Sequence, residues 1–248
     1  MKTPIISSFD SIDLCQLSQA RLTNRMDEKF LIPMDWLPSL LQAVSTDYFM
    51  LEVNQQRLLN YHTLYFDTPD NQLYLSHHNG KLNRFKIRKR SYTETASRYL
   101  EIKQKTNKGR TIKKRIPSHS ELHQLSVEER SFLRKLVPLA PDLLEAKTAN
   151  RFQRITLVCK NMTERCTIDL NLQFENHRSQ VGHDAVAIIE IKHRQHIRSS
   201  KLFHQLAQQG INSTSFSKYC IGRVLTEPML KANAFKPKIK QLSKLIQN

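Results

Sequence analysis

Glycine is scarce, five in 248 residues, and neither GxxxxGK[ST] nor GxGxxG occurs. A glycine-rich phosphate loop is therefore excluded as the main device. The four cysteines, Cys15, Cys159, Cys166 and Cys220, show no CxxC spacing. That argues against zinc and reads as reduced core thiols. No apolar run approaches the ~18–20 residues of a membrane helix, and the opening MKTPIISSFDSIDL has no signal-peptide core. A cytoplasmic protein is the default expectation. The ten histidines are scattered, and His77-His78, beside Asn79-Gly80, reads as a solvated turn. Acids are also few: 22 Asp and Glu against 39 Lys and Arg give a net charge of +17. Such a balance implies a polyanionic partner, whether nucleic acid, anionic lipid or a phosphate-rich small molecule.

What is present is a basic stretch with an order to it. Arg84 to Arg115 holds thirteen Lys or Arg against Glu94 and Glu101. Arg84, Lys86, Arg88 and Arg90 fall on every second residue, as do Glu101, Lys103 and Lys105. Alternate side chains of a strand share a face. One face is then cationic, backed by Phe85 and Ile87, or by Leu100 and Ile102, on the other. A row of charges backed by apolar residues in adjoining strands predicts a concave wall for a polyanion.

The same alternation recurs along the chain. Arg25, Asp27 and Lys29 alternate in a strand expected over Leu22–Ile32, followed by a helix with Asp35 as its N-cap and Trp36, Leu37, Leu40, Leu41 and Val44 as its stripe. Arg57–Asp67 is β-rich and ends in the turn Thr68-Pro69-Asp70-Asn71. Basic strands follow at about 82–92, 98–106 and 110–116, and Ser118–Val137 reads as a helix opened by Ser118-x-x-Glu121. Arg151–Leu172 is a hairpin about Asn161–Glu164, with Cys159 opposite Cys166 and Thr156 opposite Asp169. Ala185–His193 is a strand carrying Glu190 and Lys192 on one face, and Ser199–Gln209 is a short helix closed by Gly210. The tail from Lys231, with five Lys and no acid in eighteen residues, reads as a solvated or fraying helix. The expected fold is α+β: about eight antiparallel strands closed into a tunnel with a cationic lumen, covered by helices. Its parts are a lead-in (1–20), the tunnel domain (21–227) and the basic tail (228–248).

Phosphate chains need rigid cationic donors, and phosphoryl transfer is largely positioning and electrostatics, with a divalent ion held by carboxylates. Asp27, Glu101, Asp169 and Glu190 each alternate with Arg or Lys. They suit either metal ligation, Glu190 foremost, or pairing with those cations.

Seven pieces, in order, carry a resemblance: Arg25-Met-Asp27-Glu-Lys29, Tyr65-Phe66-Asp67, Arg88-Lys-Arg90, Glu101-Ile-Lys103, Arg165-Cys-Thr167-Ile-Asp169, Glu190-Ile-Lys192 and Ser217-Lys218-Tyr219. In that order the chain resembles the VTC-type polyphosphate polymerase domain of the triphosphate tunnel metalloenzyme (CYTH-like) superfamily. The resemblance implies an eight-stranded tunnel that takes ATP and a growing polyphosphate chain, with Mn2+ or Mg2+ as cofactor. By motif, Lys29, Arg88, Arg90, Lys103, Arg165 and Lys218 would grip phosphates, as would a cation from Lys113 to Arg115. Glu190 would hold the metal, with Glu101 and Asp169 as further metal candidates from their alternation with cations, and Tyr219 would sit near the tunnel mouth. Arg25, Lys86, Lys105, Arg154 and Lys192, on the same alternating faces, are further phosphate- or nucleotide-binding candidates. The chain departs from the wider superfamily in its first strand, where Arg25-x-Asp27-x-Lys29 replaces a Glu-x-Glu-x-Lys pattern. Losing those glutamates disfavours triphosphatase chemistry and favours the polymerase branch.

The alternatives are a triphosphate or nucleoside-triphosphate hydrolase on the same fold, and a non-catalytic polyphosphate-binding domain. Nucleic-acid binding is the weakest reading. It needs exposed cations interleaved with stacking aromatics, and Phe85, Tyr92 and Tyr99 mostly fall off the cationic face. A membrane-protein partner is compatible with the sequence, although no span is expected in it.

Overall fold

The computed structural model describes residues 3–19, 22, 25–194 and 197–247. The expected start of the first strand, at 22–24, and the boundary at 20–21 fall wholly or partly outside the described residues. In chain order the elements are α1 (Thr3–Ser7), β1 (Asp10–Ile12), α2 (Leu14–Gln19), β2 (Met26–Pro33), α3 (Leu37–Val44), β3 (Tyr48–Leu51), β4 (Leu59–Asp67), α4 (Gln72–His78), β5 (Arg84–Tyr92) and β6 (Ser97–Lys105). They continue with β7 (Thr111–Pro117), α5 (Val127–Arg134), β8 (Glu145–Cys159), β9 (Glu164–Glu175), β10 (Gln180–His183), β11 (Val186–His193), α6 (Lys201–Gln208), α7 (Lys218–Thr226) and α8 (Lys236–Gln247). No helix among the described residues is long and apolar enough to cross a membrane.

Eight strands form one path, β2-β11-β9-β8-β4-β5-β6-β7, each neighbour pair antiparallel. The path is open. Among the described residues β2 and β7 exchange no ladder bonds, so the expected closed barrel is not formed by the sheet. The segment before α7 instead lies along the β2 edge. The Thr214 N–H donates to the Lys29 carbonyl at 2.7 Å, and Lys86 Nζ on β5 donates to Ser217 Oγ at 2.9 Å. This stretch therefore links the two sides of the curled sheet without a strand pair.

The outer face is apolar, as the alternation predicts. Phe30, Ile32, Ile155, Leu157, Ile168 and Ile189 pack under α3 and α6, whose Leu37, Leu40, Leu41, Leu202 and Leu206 are buried. Phe85, Ile87, Leu100 and Ile102 pack under α5 and its flanks through Leu125, Leu133 and Val137. At one end of the inner face the charges stop. There Leu31, Leu172, Phe174, Val186 and Ile188 meet Phe216, Ile221 and Leu242, so α7 and α8 cap that end. The tail helix is docked through Leu242, 1% exposed, rather than solvated. Gly222 lets α7 sit this close, because a Cβ there would lie 2.6 Å from the Phe174 ring.

Several local readings change. The expected helix 118–137 forms only over Val127–Arg134, with its capping box at Ser126 and Glu129. The reason is Lys89. It is fully buried on the outer face, pairs with Glu129 at 3.0 Å, and takes Ser120 Oγ, Glu121 O and Gln124 O as acceptors. Carbonyls 121 and 124 are thereby diverted from a helical ladder. The β8–β9 hairpin pairs Leu157 with Cys166, Thr156 with Thr167 and Arg154 with Asp169, two residues from the expected register. Asn161 Oδ1 accepts from Thr163 N and Oγ1, and Met162 takes φ 61°, which recentres the turn. An even shift leaves every residue on its face. Asp35 lies in a 3-10 turn, Met34–Trp36, with no side-chain cap. His77 and His78 end α4 instead of a solvated turn, and His77 Nε2 lies 3.0 Å from Phe85 O. Burial pushes the His77 imidazole down to about 3, so it is neutral at physiological pH. Strands β1, β3 and β10 carry no alternation long enough to read in the sequence.

Candidate functional site

The inner face is built by period-two residues of eight strands and by the start of α7. From β5 and β6, Arg88 places Nε and Nη2 on Glu101 Oε2 at 2.8 and 2.6 Å, while Lys113 of β7 pairs with Oε1. From β8 and β9, Arg154 grips Asp169 with both arms, and Lys218 of α7 reaches the same carboxylate. From β2 and β11, Lys29 and Lys192 hold the two oxygens of Glu190 at 2.8 and 2.6 Å. Arg90 donates through Nε to Thr63 Oγ1 at 3.0 Å. The cations outnumber the carboxylates, and Glu101, Asp169 and Glu190 are each held at both oxygens.

These neighbours decide the charge states. Burial alone would raise the Glu101, Asp169 and Glu190 carboxyls. The guanidiniums of Arg88 and Arg90, Arg154 with Lys218, and Lys192 with Lys29 outweigh it and hold all three below the usual carboxylate range. Lys103 is held well below the usual lysine range, first by the Arg88 charge and then by burial, with Glu190 opposing. Lys103 on β6 thus senses a carboxylate on β11, at the other side of the curled sheet. Burial likewise lowers Lys86, Lys192 and Lys218.

The same face carries aromatics that the alternation alone could have revealed. Tyr61 stacks on Phe152 with centroids 5.1 Å apart, and the guanidiniums of Arg154 and Arg90 lie over Tyr61 at 4.8 and 5.5 Å. Lys218 Nζ lies 4.7 Å over Phe152. Tyr92 shares parity with Arg84–Arg90, and Tyr99 pairs with Arg90 in the ladder. Both therefore stand on the cationic face, contrary to the expectation that they fall off it. Tyr65, at 3.4 Å from Arg88 Nη1 through its hydroxyl, stacks on Tyr219.

Some predicted site residues sit elsewhere. Tyr219, expected near a tunnel mouth, is 1% exposed, and its hydroxyl donates to Asp67 at 2.6 Å. Asp67 also accepts from Arg223, from the Thr68 N–H, and from the N–H groups of Leu73 and Tyr74 at the start of α4. It is thus the pin that joins β4, α4 and α7. Arg25 and Asp27 pair with each other at 3.1 Å, both largely exposed. Arg165 donates to the Leu17 carbonyl of the amino-terminal segment. Arg115 is exposed and lies 4.3 Å over Tyr99. Lys105, with Lys29, Arg84 and Lys86, lines an open cavity of about 780 Å3 beside residues 213–217 and Lys238 of α8.

For a divalent ion the three acids differ. Glu101 and Asp169 have side chains 0% and 4% exposed and are consumed by guanidinium and ammonium partners. Glu190 is 21% exposed and meets only lysine tips. No group of three His, Cys, Asp or Glu is placed to hold an ion among the described residues. The donor set fits an ion that rests on one carboxylate and takes its remaining oxygens from phosphates, as Mg2+ commonly does.

One curled antiparallel sheet thus carries the cationic face. A family model for the VTC domain matches residues 24–226, and the chain belongs to that family. Among solved structures it is similar to a Hippeastrum protein named as an adenylyl cyclase and described as having a dominant triphosphatase activity. Identity is 15%, the match covers 84% of this chain and 99% of that one, and the TM-score is 0.51. A Vibrio parahaemolyticus protein named as an adenylate cyclase matches at 14% identity over 81% and 99% of the two chains, TM-score 0.46. No curated protein shows a significant match to the sequence.

Proposed function

We propose that the chain is a metal-dependent phosphotransferase that lengthens inorganic polyphosphate with the γ-phosphate of ATP, along the cationic inner face. The observation that carries this is the clasped arrangement of Arg88–Glu101–Lys113, Arg154–Asp169–Lys218 and Lys29–Glu190–Lys192 on one face. Each set is a phosphate subsite kept in order by a carboxylate. Arg88, Arg90 and Arg154 supply forked donors, and Lys29, Lys103, Lys192 and Lys218 supply point charges. A phosphoryl group in transit spreads negative charge over its equatorial oxygens, so donors fixed in advance lower the barrier without reorganisation. Mn2+ or Mg2+ held by Glu190 and substrate phosphates would neutralise part of that charge. Transfer to phosphate is favoured over hydrolysis by the first strand, where Arg25 stands in place of one carboxylate and pairs with the other, Asp27.

The hydrolase reading draws on the triphosphatase activity described for the Hippeastrum protein. One experiment separates the two: purified protein is incubated with γ-labelled ATP and Mn2+, and products are resolved by gel. A phosphate ladder is the expected result. Free phosphate without a ladder would make the chain a hydrolase, and tight polyphosphate binding without either product would make it a receptor. Glu190→Gln should abolish turnover while leaving polyphosphate affinity equal or higher.

A further inference from the structure

Two parts of the cationic face differ in chemistry. Beside the segment before α7, the cavity at Lys29, Arg84, Lys86 and Lys105 adds hydroxyls of residues 213–217 but no tyrosine. Along β4, β5 and β6 the face carries a ladder of rings. Tyr61 meets Tyr92 edge to face at 5.1 Å, and Tyr92 meets Tyr99 at 6.0 Å. Tyr92 and Tyr99 line a cavity of about 530 Å3, and the Arg115 guanidinium lies 4.3 Å over the Tyr99 ring.

Register ties this aromatic ladder to the phosphate subsites. Tyr99 is the ladder partner of Arg90, and the next pair on the same face, Arg88 with Glu101, lies two residues along β5 and β6. Two residues of strand span about 7 Å, so a triphosphate gripped by Arg88 and Arg90 and running toward the β5–β6 turn would bring its nucleoside to Tyr99. Planar bases stack on tyrosine, and guanidinium planes stack on bases. Both Tyr92 and Tyr99 are half-buried and Arg115 is exposed, so an incoming ring meets a fixed floor and a movable cover.

We propose that Tyr99 is the nucleobase platform of the donor nucleotide, with Arg115 closing over the base, and that ATP approaches from the Tyr92–Tyr99 end. The inference rests on the reading of the inner face as a triphosphate site. Stacking recognises a π-face and not an edge pattern, so purine nucleotides are taken with little discrimination between adenine and guanine.

The test compares ATP, GTP and tripolyphosphate binding by titration calorimetry, in wild type, Tyr99→Leu and Tyr99→Phe, with thermal melts to verify folding. Tyr99→Leu should weaken ATP and GTP by about 5- to 150-fold, the range of one base–aromatic stack, and leave tripolyphosphate within about twofold. Tyr99→Phe should retain nucleotide affinity. Equal losses for nucleotide and tripolyphosphate would overturn the platform, making Tyr99 a support for Arg90. Unchanged affinity for all three would overturn it too. A wild-type protein that binds no tripolyphosphate would remove the triphosphate reading itself, and the platform with it.

Discussion

Arg154 and Asp169 face each other across the β8–β9 ladder, Nε to Oδ1 at 2.5 Å and Nη2 to Oδ2 at 2.8 Å, and Lys218 of α7 closes on the same carboxylate. One acid thus fixes a strand arginine and a helix lysine toward the same space. Asp169→Asn should leave two half-buried cations uncompensated, at a cost of up to about 3–5 kcal/mol. Added tripolyphosphate should return a larger part of the stability than it adds to wild type. Urea unfolding with and without tripolyphosphate measures both, and an unchanged midpoint without ligand would contradict the pairing.

The acids predict the pH profile. Glu101, Asp169 and Glu190 all have folded values below their ordinary ones, because neighbouring cations outweigh burial. A depressed folded value means the unfolded chain binds more protons, so stability rises with pH across the window. The contribution is fully present above the unfolded values near ~4 and is lost as pH falls through the lower folded ones. Denaturant midpoints should hold from neutrality to about pH 5 and then drop. A midpoint indifferent to acid between those limits and pH 3 would argue against the three clasps.

Lys103 predicts the opposite traffic of protons. Arg88 first, and burial second, hold it well below the usual lysine range. A bound polyanion shields it from Arg88 and restores its affinity for a proton. Tripolyphosphate binding should therefore take up protons at neutral to alkaline pH, read as a binding enthalpy that varies with the ionisation enthalpy of the buffer. The dependence should shrink in Lys103→Arg, since an arginine keeps its charge.

Lys89 and Glu129 test the outer layer. Both are buried, at 3.0 Å. Lys89→Met should cost about 3–5 kcal/mol by stranding Glu129. Lys89→Met with Glu129→Leu should cost less than the sum of the single changes, because no charge is then left unpaired. Strict additivity in a double-mutant cycle would show that the pair is not coupled.

Ligand linkage offers a check that needs no variant. A cationic face repels itself, and tripolyphosphate at one hundred times its Kd should add about 2.7 kcal/mol of stability. The gain should shrink with added salt, which screens charges beyond about 10 Å at 0.1 M. No shift in melting temperature at millimolar ligand and low salt would sink the triphosphate site.

Much of this was legible in the residue order. Arg84, Lys86, Arg88 and Arg90, and again Glu101, Lys103 and Lys105, declare their faces because strand side chains alternate whatever the partner. The same rule, applied to Tyr92 and Tyr99, places them on the cationic face. Alternation also explains why a two-residue error in the β8–β9 register did no harm to the facing of Arg154 and Asp169.

What alternation cannot supply is which distant residues meet. That Asp67 of β4 would bind Tyr219 and Arg223 of α7, more than 150 positions away in the chain, depends on how the curled sheet is capped. Lys89 breaks a helix that local propensity favours, because a buried ammonium demands acceptors and takes them from the nearest backbone. The open sheet is likewise a tertiary outcome: among the described residues β2 and β7 do not pair, and Thr214 and Ser217 link β2 to β5 instead. Residue order alone determined which side chains share a face and the excess of cations on one of them. The closing of that face, the pairing of each carboxylate and the contrast between its two parts were decided by packing, because they depend on contacts between segments far apart in the chain.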